Sequence, residues 1–216
     1  MYIIIVGAGE IGQQLTEIAL ANKEDVVVID KSKEKCDEIT RKYDVVAIVA
    51  DATEKETFEE AGIEKADALV ATADDATNLM VVSLAKNMGV PSLVSVVNQK
   101  ESEPMFLEKD VNIVGNPNIL AAEYLYRNVR HPQVTDFMRL GGQAEIFKIT
   151  LPEESKLVGK TLRELDLPGR VLVIAIERNS DIIIPVEETK LVANDSITVL
   201  ARKDKIDKAM AQLCAK

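Results

Sequence analysis

A doubly wound α/β domain followed by a smaller α+β unit is the fold class predicted for this chain, on three observations. Short runs of Val, Ile and Leu alternate with helical stretches through the first half. The first of these runs leads straight into closely spaced glycines and then a helix. Beyond residue 131 the alternation gives way to closely spaced β-rich runs and one terminal helix.

In chain order, "YIIIV" (2–6), "DVVVI" (25–29), "VVAIV" (45–49), "DALVA" (67–71) and "SLVSV" (92–96) read as strands. Their near-continuous apolar character suits a parallel sheet covered on both faces. "VNIVG" (111–115) is a sixth candidate for the same sheet. Helical segments fall between them at 10–22, 32–42, 54–60 and 75–87. In the last, Leu79, Val82, Leu84 and Ala85 supply a packing face, while Lys86 and Asn87 meet water.

Asn116-Pro117 punctuates the chain, and 118–129 reads as a helix. "HPQ" (131–133) marks a boundary, because Pro132 disfavours helical backbone at His131. In the second unit "AEIFKITL" (144–151) alternates as a strand, and Thr161 with Glu164 introduces a short helix at 162–165. "RVLVIAIER" (170–178), "IIIPV" (182–186) and "DSITVLAR" (195–202) follow as strands, the first two joined by a turn. The segment 203–214 closes the chain as a helix with Ile206, Met210 and Leu213 on one stripe. The expected rhythm of this unit is β-α-β-β-β-α.

The 216 residues are 47% apolar and 29% charged, an ordinary globular composition with enough chain for a real core. A net charge of −10 with no basic cluster argues against a nucleic-acid surface, which must neutralise phosphates. The longest apolar runs are too short to span a bilayer. "MYIIIVGAGE" lacks a basic leader and a cleavage site, so it is not read as a signal peptide. Cys36 and Cys214 form neither a disulfide framework nor a metal-ligand spacing and read as inert thiols. The cytoplasm is the expected compartment, and any tie to a membrane must run through a protein partner.

The chemistry concentrates in "IIIVGAGEIGQQL" (3–15), where Gly7, Gly9 and Gly12 form G-x-G-x-x-G between a strand and a helix. Gly7 makes the tight turn and Gly9 lets backbone approach a diphosphate. Gly12 brings the helix close to the sheet, and the helix N-terminus supplies amides and a favourable dipole. Asp30 ends the second strand, 18 positions after Gly12, where a carboxylate accepts ribose hydroxyls and disfavours a 2′-phosphate. NADP is therefore the poor candidate. Glu10 is either a helix-start acid or the neighbour of a phosphate-bound cation, and one carboxylate does not define a metal site. In "ADAT" (50–53), Asp51 and Thr53 are candidates for adenine or ribose contacts, with a helix-capping role for Asp51 as the alternative. In "ATADDATN" (71–78), Thr72, Ala73 and Asp74 lie beside the crevice, Asp75 is placed as the helix cap and Asn78 in its first turn.

Hydride transfer to a carbonyl or from an alcohol needs a proton donor beside the nicotinamide. The single histidine, His131, falls in the connector, and Tyr2, Tyr43, Tyr124 and Tyr126 fall outside the crevice loops. A nucleotide is expected to be a ligand whose binding biases domain or subunit arrangements. An NAD-dependent oxidoreductase is the rival reading.

The order of these segments, "IIIVGAGEIGQQL", "DVVVIDK", "VADAT" and "AGIEKADALVATADDATN" with the β-rich second unit, resembles one family over essentially the whole chain. It is that of the cytosolic regulatory subunits of Trk/Ktr-type potassium transporters, the TrkA/KtrA-like RCK domains. The resemblance implies a non-catalytic Rossmann-like N-terminal domain at 1–118, a connector helix and linker at 119–136, and an RCK C-terminal domain at 137–216. It implies a ligand, NAD or NADH, alternatively ADP or ATP. Carried over to this chain, Gly7, Ala8, Gly9, Glu10 and Ile11 wrap the diphosphate and Gly12 supports the helix. Asp30, with Lys31 beside it, holds the ribose, Asp51, Ala52 and Thr53 flank the adenine side, and Thr72, Ala73 and Asp74 line the far side. The family often carries an Arg after strand five, where this chain has Val96, so a cationic contact is missing there. The implied partner is a membrane-embedded potassium transporter subunit, met at the inner face of the cell membrane by dimers assembling into a larger ring. A potassium channel or antiporter is the alternative partner. The helix at 118–129 resembles the crossover by which family dimers interlock, and by its own residues reads equally as a cap over the sheet edge. In relatives the C-terminal domain pairs with its counterpart and in some binds an extra effector; no residue here identifies one.

Overall fold

The computed structural model describes residues 1–165, 167–169 and 171–213, so Arg170, read as the start of a strand, and Cys214 lie outside the described residues. The chain divides into two units, Met1–Ala121 and the remainder from Ala122.

Branched aliphatic runs build the first unit. β1 (Tyr2–Val6), α1 (Glu10–Ala21), β2 (Asp25–Asp30), α2 (Lys33–Lys42), β3 (Val46–Val49), α3 (Lys55–Glu60), β4 (Ala68–Ala71), α4 (Asp75–Asn87), β5 (Ser92–Val96), α5 (Glu103–Leu107) and β6 (Asn112–Val114) follow one another. The six strands are all parallel, in the order β3-β2-β1-β4-β5-β6. Successive residues of β1 face opposite sides: Ile4 and Val6 join a core with Phe58, Leu69, Val81 and Phe106, while Ile5 joins Val28, Ala19 and Ile39 on the other face. Both faces are thereby covered, as the unbroken apolar runs require. The order reverses between β1 and β4, and a crevice opens at the carboxyl ends of the strands there.

α1 approaches the sheet through Gly12, Thr16 and Ala19, all buried. A Cβ built on Gly12 would lie 1.8 Å from the Gly7 carbonyl oxygen, so only glycine permits this approach. Gly7 itself turns the chain at φ +104°, where a Cβ would also press on Thr72 Oγ1 at 2.6 Å.

α6 (Pro117–Arg130) is followed by β7 (Val134–Leu140), β8 (Ala144–Thr150), β9 (Val171–Arg178), β10 (Asp181–Ile183), β11 (Ser196–Arg202) and α7 (Ile206–Leu213). The second sheet is wholly antiparallel, in the order β10-β9-β11-β8-β7. β7 corrects the expected rhythm, which placed the first strand of this unit, begun at residue 137, at 144–151 and left 131–136 in the linker. Of its seven residues only Val134 is buried, so its sequence shows no apolar alternation and the edge position rests on pairing with β8. β10 is shorter than the run 182–186. Pro185 has no amide to donate, and pairing with β9 ends at Ile183. The short helix is a 3-10 turn at Leu162–Glu164, closed by Glu164 accepting from the Thr161 amide at 2.7 Å. Ile206, Met210 and Leu213 are buried as their spacing predicts, together with Ala209.

Asn179 and Ser180, with φ of 51° and 70°, form the two-residue turn between β9 and β10. Arg178, just before it, donates from Nε and Nη2 to the two carboxylate oxygens of Asp195 at 2.7 and 2.8 Å. Asp195 is fully buried and also accepts from the Val192 amide at 2.8 Å. Burial pushes its carboxyl up, but Arg178 and the amide outweigh burial and hold it below the ordinary value.

Asp195→Asn should therefore lower stability by about 3 kcal/mol in denaturant unfolding, since it leaves Arg178 without its counter-charge. In the wild type this contribution is complete above about pH 4, the ordinary carboxylate range, and is lost as the pH falls through the depressed folded value. The variant should lack that part of the acid dependence.

Candidate functional site

The crevice at the β1–β4 reversal is a cavity of about 310 Å³, lined from the ends of β1, β2, β3 and β4 and the loops that follow them. Gly9 begins α1 with no side-chain cap, leaving the first-turn amides and the positive end of the helix dipole facing this end of the sheet. A Cβ on Gly9 would meet no protein atom within 4 Å. Packing explains Gly7 and Gly12, whereas Gly9 borders open crevice.

Asp30 ends β2 with both oxygens engaged: Oδ2 accepts from the Ala8 amide and Oδ1 from the Ser32 amide, each at 2.8 Å. A carboxylate oxygen has further lone pairs, so Asp30 pins the glycine turn and still presents acceptors to the cavity it lines. Beside it, Lys31 Nζ lies 2.9 Å from Asp51 Oδ2, bridging the ends of β2 and β3. The Thr53 amide, then Lys31 and the Thr53 hydroxyl, hold the Asp51 carboxyl down to about 2.

On the far side, Thr72 donates to the Val6 carbonyl at 3.0 Å, tying β4 to the glycine turn. Asn78 is fully buried. Its Oδ1 accepts from the Ala73 amide at 2.9 Å and its Nδ2 donates to the Val96 carbonyl at 2.9 Å. Two capping expectations change. Asp74, not Asp75, caps α4, accepting from the Thr77 amide at 3.0 Å and from its hydroxyl at 2.7 Å, and these bonds hold its carboxyl below the ordinary value. Asp75 instead reaches across to the Asn98 and Gln99 amides at 2.7 and 2.9 Å, fastening the loop after β5. The alternative for Asp51 does not hold either, because Glu54 is the cap residue of α3 and no side chain caps it.

Of the residues expected at the site, Gly7, Gly9, Asp30, Lys31, Ala52, Thr72, Ala73 and Asp74 line the cavity together. Ala8 and Gly12 are buried behind it, and Glu10 and Ile11 are exposed on the first turn of α1. Asp51 and Thr53 stand at its margin through Lys31. Lys35, Ala50 and Thr77 also line it. The position of Thr77, three residues beyond Asp74 at the start of α4, was the signal that could have found one of them. Val96 is buried at the end of β5, and its side chain brings no cation to the crevice. Among the described residues no group of three or more His, Cys, Asp or Glu is arranged to hold a metal ion. No helix among them is long and apolar enough to cross a membrane.

Residues 3–117 match the TrkA-N domain and residues 146–213 the TrkA-C domain. The chain is 30% identical over 211 residues to a Trk system potassium uptake protein TrkA homolog of Methanothermobacter thermautotrophicus, covering 97% of each chain. A homolog of the same description from Pyrococcus abyssi is 29% identical over 211 residues, covering 94% of this chain and 92% of the relative. Among solved structures, the GsuK channel bound to NAD superposes with a TM-score of 0.65 at 15% identity, covering 100% of this chain and 39% of the channel. GsuK bound to ADP gives 0.54 at 14% identity, covering 61% of this chain and 35% of that one. These structures bear on the fold alone, and this chain spans less than half of either. With both domain matches in order and relatives matched end to end, the chain belongs to the family of Trk system potassium uptake proteins built from a TrkA-N and a TrkA-C domain.

Proposed function

We propose that this chain is a non-catalytic, nucleotide-sensing regulatory subunit that gates a membrane-embedded potassium transporter. The observation that carries the sensing role is the crevice. An uncapped helix start, a glycine with open space where its Cβ would stand, and a strand-end carboxylate converge on one cavity. In this reading the glycine turn up to Ile11 wraps the diphosphate, with the Gly9, Glu10 and Ile11 amides facing it, the Ala8 amide held by Asp30 and Gly12 supporting the helix. Asp30 takes the adenosine ribose, with Lys31, Asp51, Ala52 and Thr53 on the adenine side and Thr72, Ala73 and Asp74 opposite. NAD or NADH is the preferred ligand and ADP or ATP the alternative. Solved structures of GsuK, which shares this fold, hold NAD in one case and ADP in another, so both ligand classes are to be tested.

The cavity also offers side chains to a ligand. Lys31 and Lys35 stand at the β2 side, where the adenosine ribose would lie, and Thr72 and Thr77 are the hydroxyls across from them. Nucleotide binding would then act by favouring one arrangement of subunits over another. Homodimers built into a larger ring, cytoplasmic and held at the inner membrane face through the partner, are the assembly proposed. α6 supports it: it buries none of its residues within the chain and exposes Leu120, Tyr124, Leu125 and Val129. A potassium channel is the second reading for the partner, favoured by the likeness to a channel's RCK region.

Calorimetry should show binding of NAD(H) or of an adenine nucleotide, with NADP weaker. Asp30→Ala and Gly9→Val should each weaken it about tenfold or more, and Gly9→Val should leave the fold intact. Absence of binding by either ligand class would overturn the sensing role. Leu125→Glu should shift sedimentation towards smaller species. Pull-down from native membranes should recover a potassium uptake transporter; recovery of a channel or antiporter alone would replace it as the partner.

A further inference from the structure

The second unit holds a cavity of about 400 Å³, lined from α6, β7, β8 and the start of α7, which the nucleotide reading leaves unused. At its back is Glu145, whose side chain is 3% exposed. One carboxylate oxygen is paired with Nη2 of Arg127; the other, Oε2, is buried and has no hydrogen-bond partner. A buried carboxylate oxygen without a donor is costly, and the remedy is an N–H or O–H brought to it. Lys203 lines the same cavity, beside β8 through its amide on the Gln143 carbonyl at 2.9 Å, and among the described residues its ammonium makes no ion pair. The lining of the cavity therefore includes an unused acceptor and an unused cation.

The other charges are matched among themselves. Arg139 pairs with Glu123 at 2.8 Å, and Arg130 with Asp207 at 3.2 Å. Four cations face three carboxylates, with His131 on Asp207 at 3.4 Å, so the wall carries one positive charge in excess when the imidazole is neutral. That excess suits a carboxylate group. Three carboxylates on the same wall disfavour a phosphate dianion, and the guanidinium of Arg127 beside Glu145 disfavours a bare metal cation. The cavity is within the size range of small-molecule sites.

We infer that this cavity binds a small carboxylate that also carries an amine or hydroxyl: the carboxylate meets Lys203, and the amine or hydroxyl donates to Glu145 Oε2. Amino acids and hydroxy acids share this chemistry. L-serine and L-lactate distinguish the two sources, and acetate, which has the charge without the donor, is the control. Calorimetry on the full chain should show binding of serine or lactate and at least tenfold weaker binding of acetate. Lys203→Ala, at an exposed position, and Glu145→Gln should each weaken the productive ligand about tenfold, whereas Asp30→Ala in the nucleotide crevice should leave it unchanged. No heat with serine or lactate at millimolar concentration, acetate binding as tightly as either, or affinity unchanged in Lys203→Ala would each overturn the inference. None of these outcomes depends on whether the crevice binds a nucleotide.

Discussion

The close approach of α1 to the turn after β1 is the constraint on which the first unit depends. Gly12 passes so near the Gly7 carbonyl that no side chain fits between them. That contact aims the helix axis, and with it the first-turn amides, at the carboxyl end of the sheet. Thr72 closes the same junction from β4 by bonding to Val6. The crevice is the space left when one strand must turn sharply into a helix and its neighbour leaves in the opposite direction.

Around that junction the loops are held by side chains that accept from backbone amides. Asp30 holds the glycine turn, Asp51 holds its own loop at Thr53, and Asp75 holds the segment after β5. Asn78 joins the loop after β4 to the end of β5 from within the core. A carboxylate that accepts two amides fixes the backbone and keeps lone pairs for a ligand, so the groups that preorganise the site are in part the groups that would bind. Loops tied in this way need little ordering when a ligand arrives, which raises affinity for a given set of contacts.

The second unit uses buried charge differently. Arg178 and Asp195 are satisfied by each other and by nearby backbone, and they join the β9–β10 turn to the segment before β11. Glu145, equally buried, is satisfied on one oxygen only. The first arrangement fastens a fold and the second leaves a donor wanting. Arg178 on β9 and Glu145 on β8 belong to one sheet, so its rigidity is available to each arrangement.

The sequence by itself determined the alternation of the first unit, the place of the crevice at the β1–β4 reversal and most of its lining. Strand-length aliphatic runs and the spacing of Gly7, Gly9, Gly12 and Asp30 are local signals. It determined α7 as well, because a stripe of Ile206, Met210 and Leu213 has no other economical burial. Only the tertiary structure decided β7, an edge strand whose mostly exposed residues carry no period and which exists by pairing with β8. It also decided which of two adjacent aspartates caps α4 and which clasps a loop more than twenty residues away. And it decided that Glu145 and Lys203, far apart in the chain, share one cavity. Local spacing encodes turns, faces and caps; a hydrogen bond or a cavity between distant segments depends on where the backbone carries them, which no window of sequence contains.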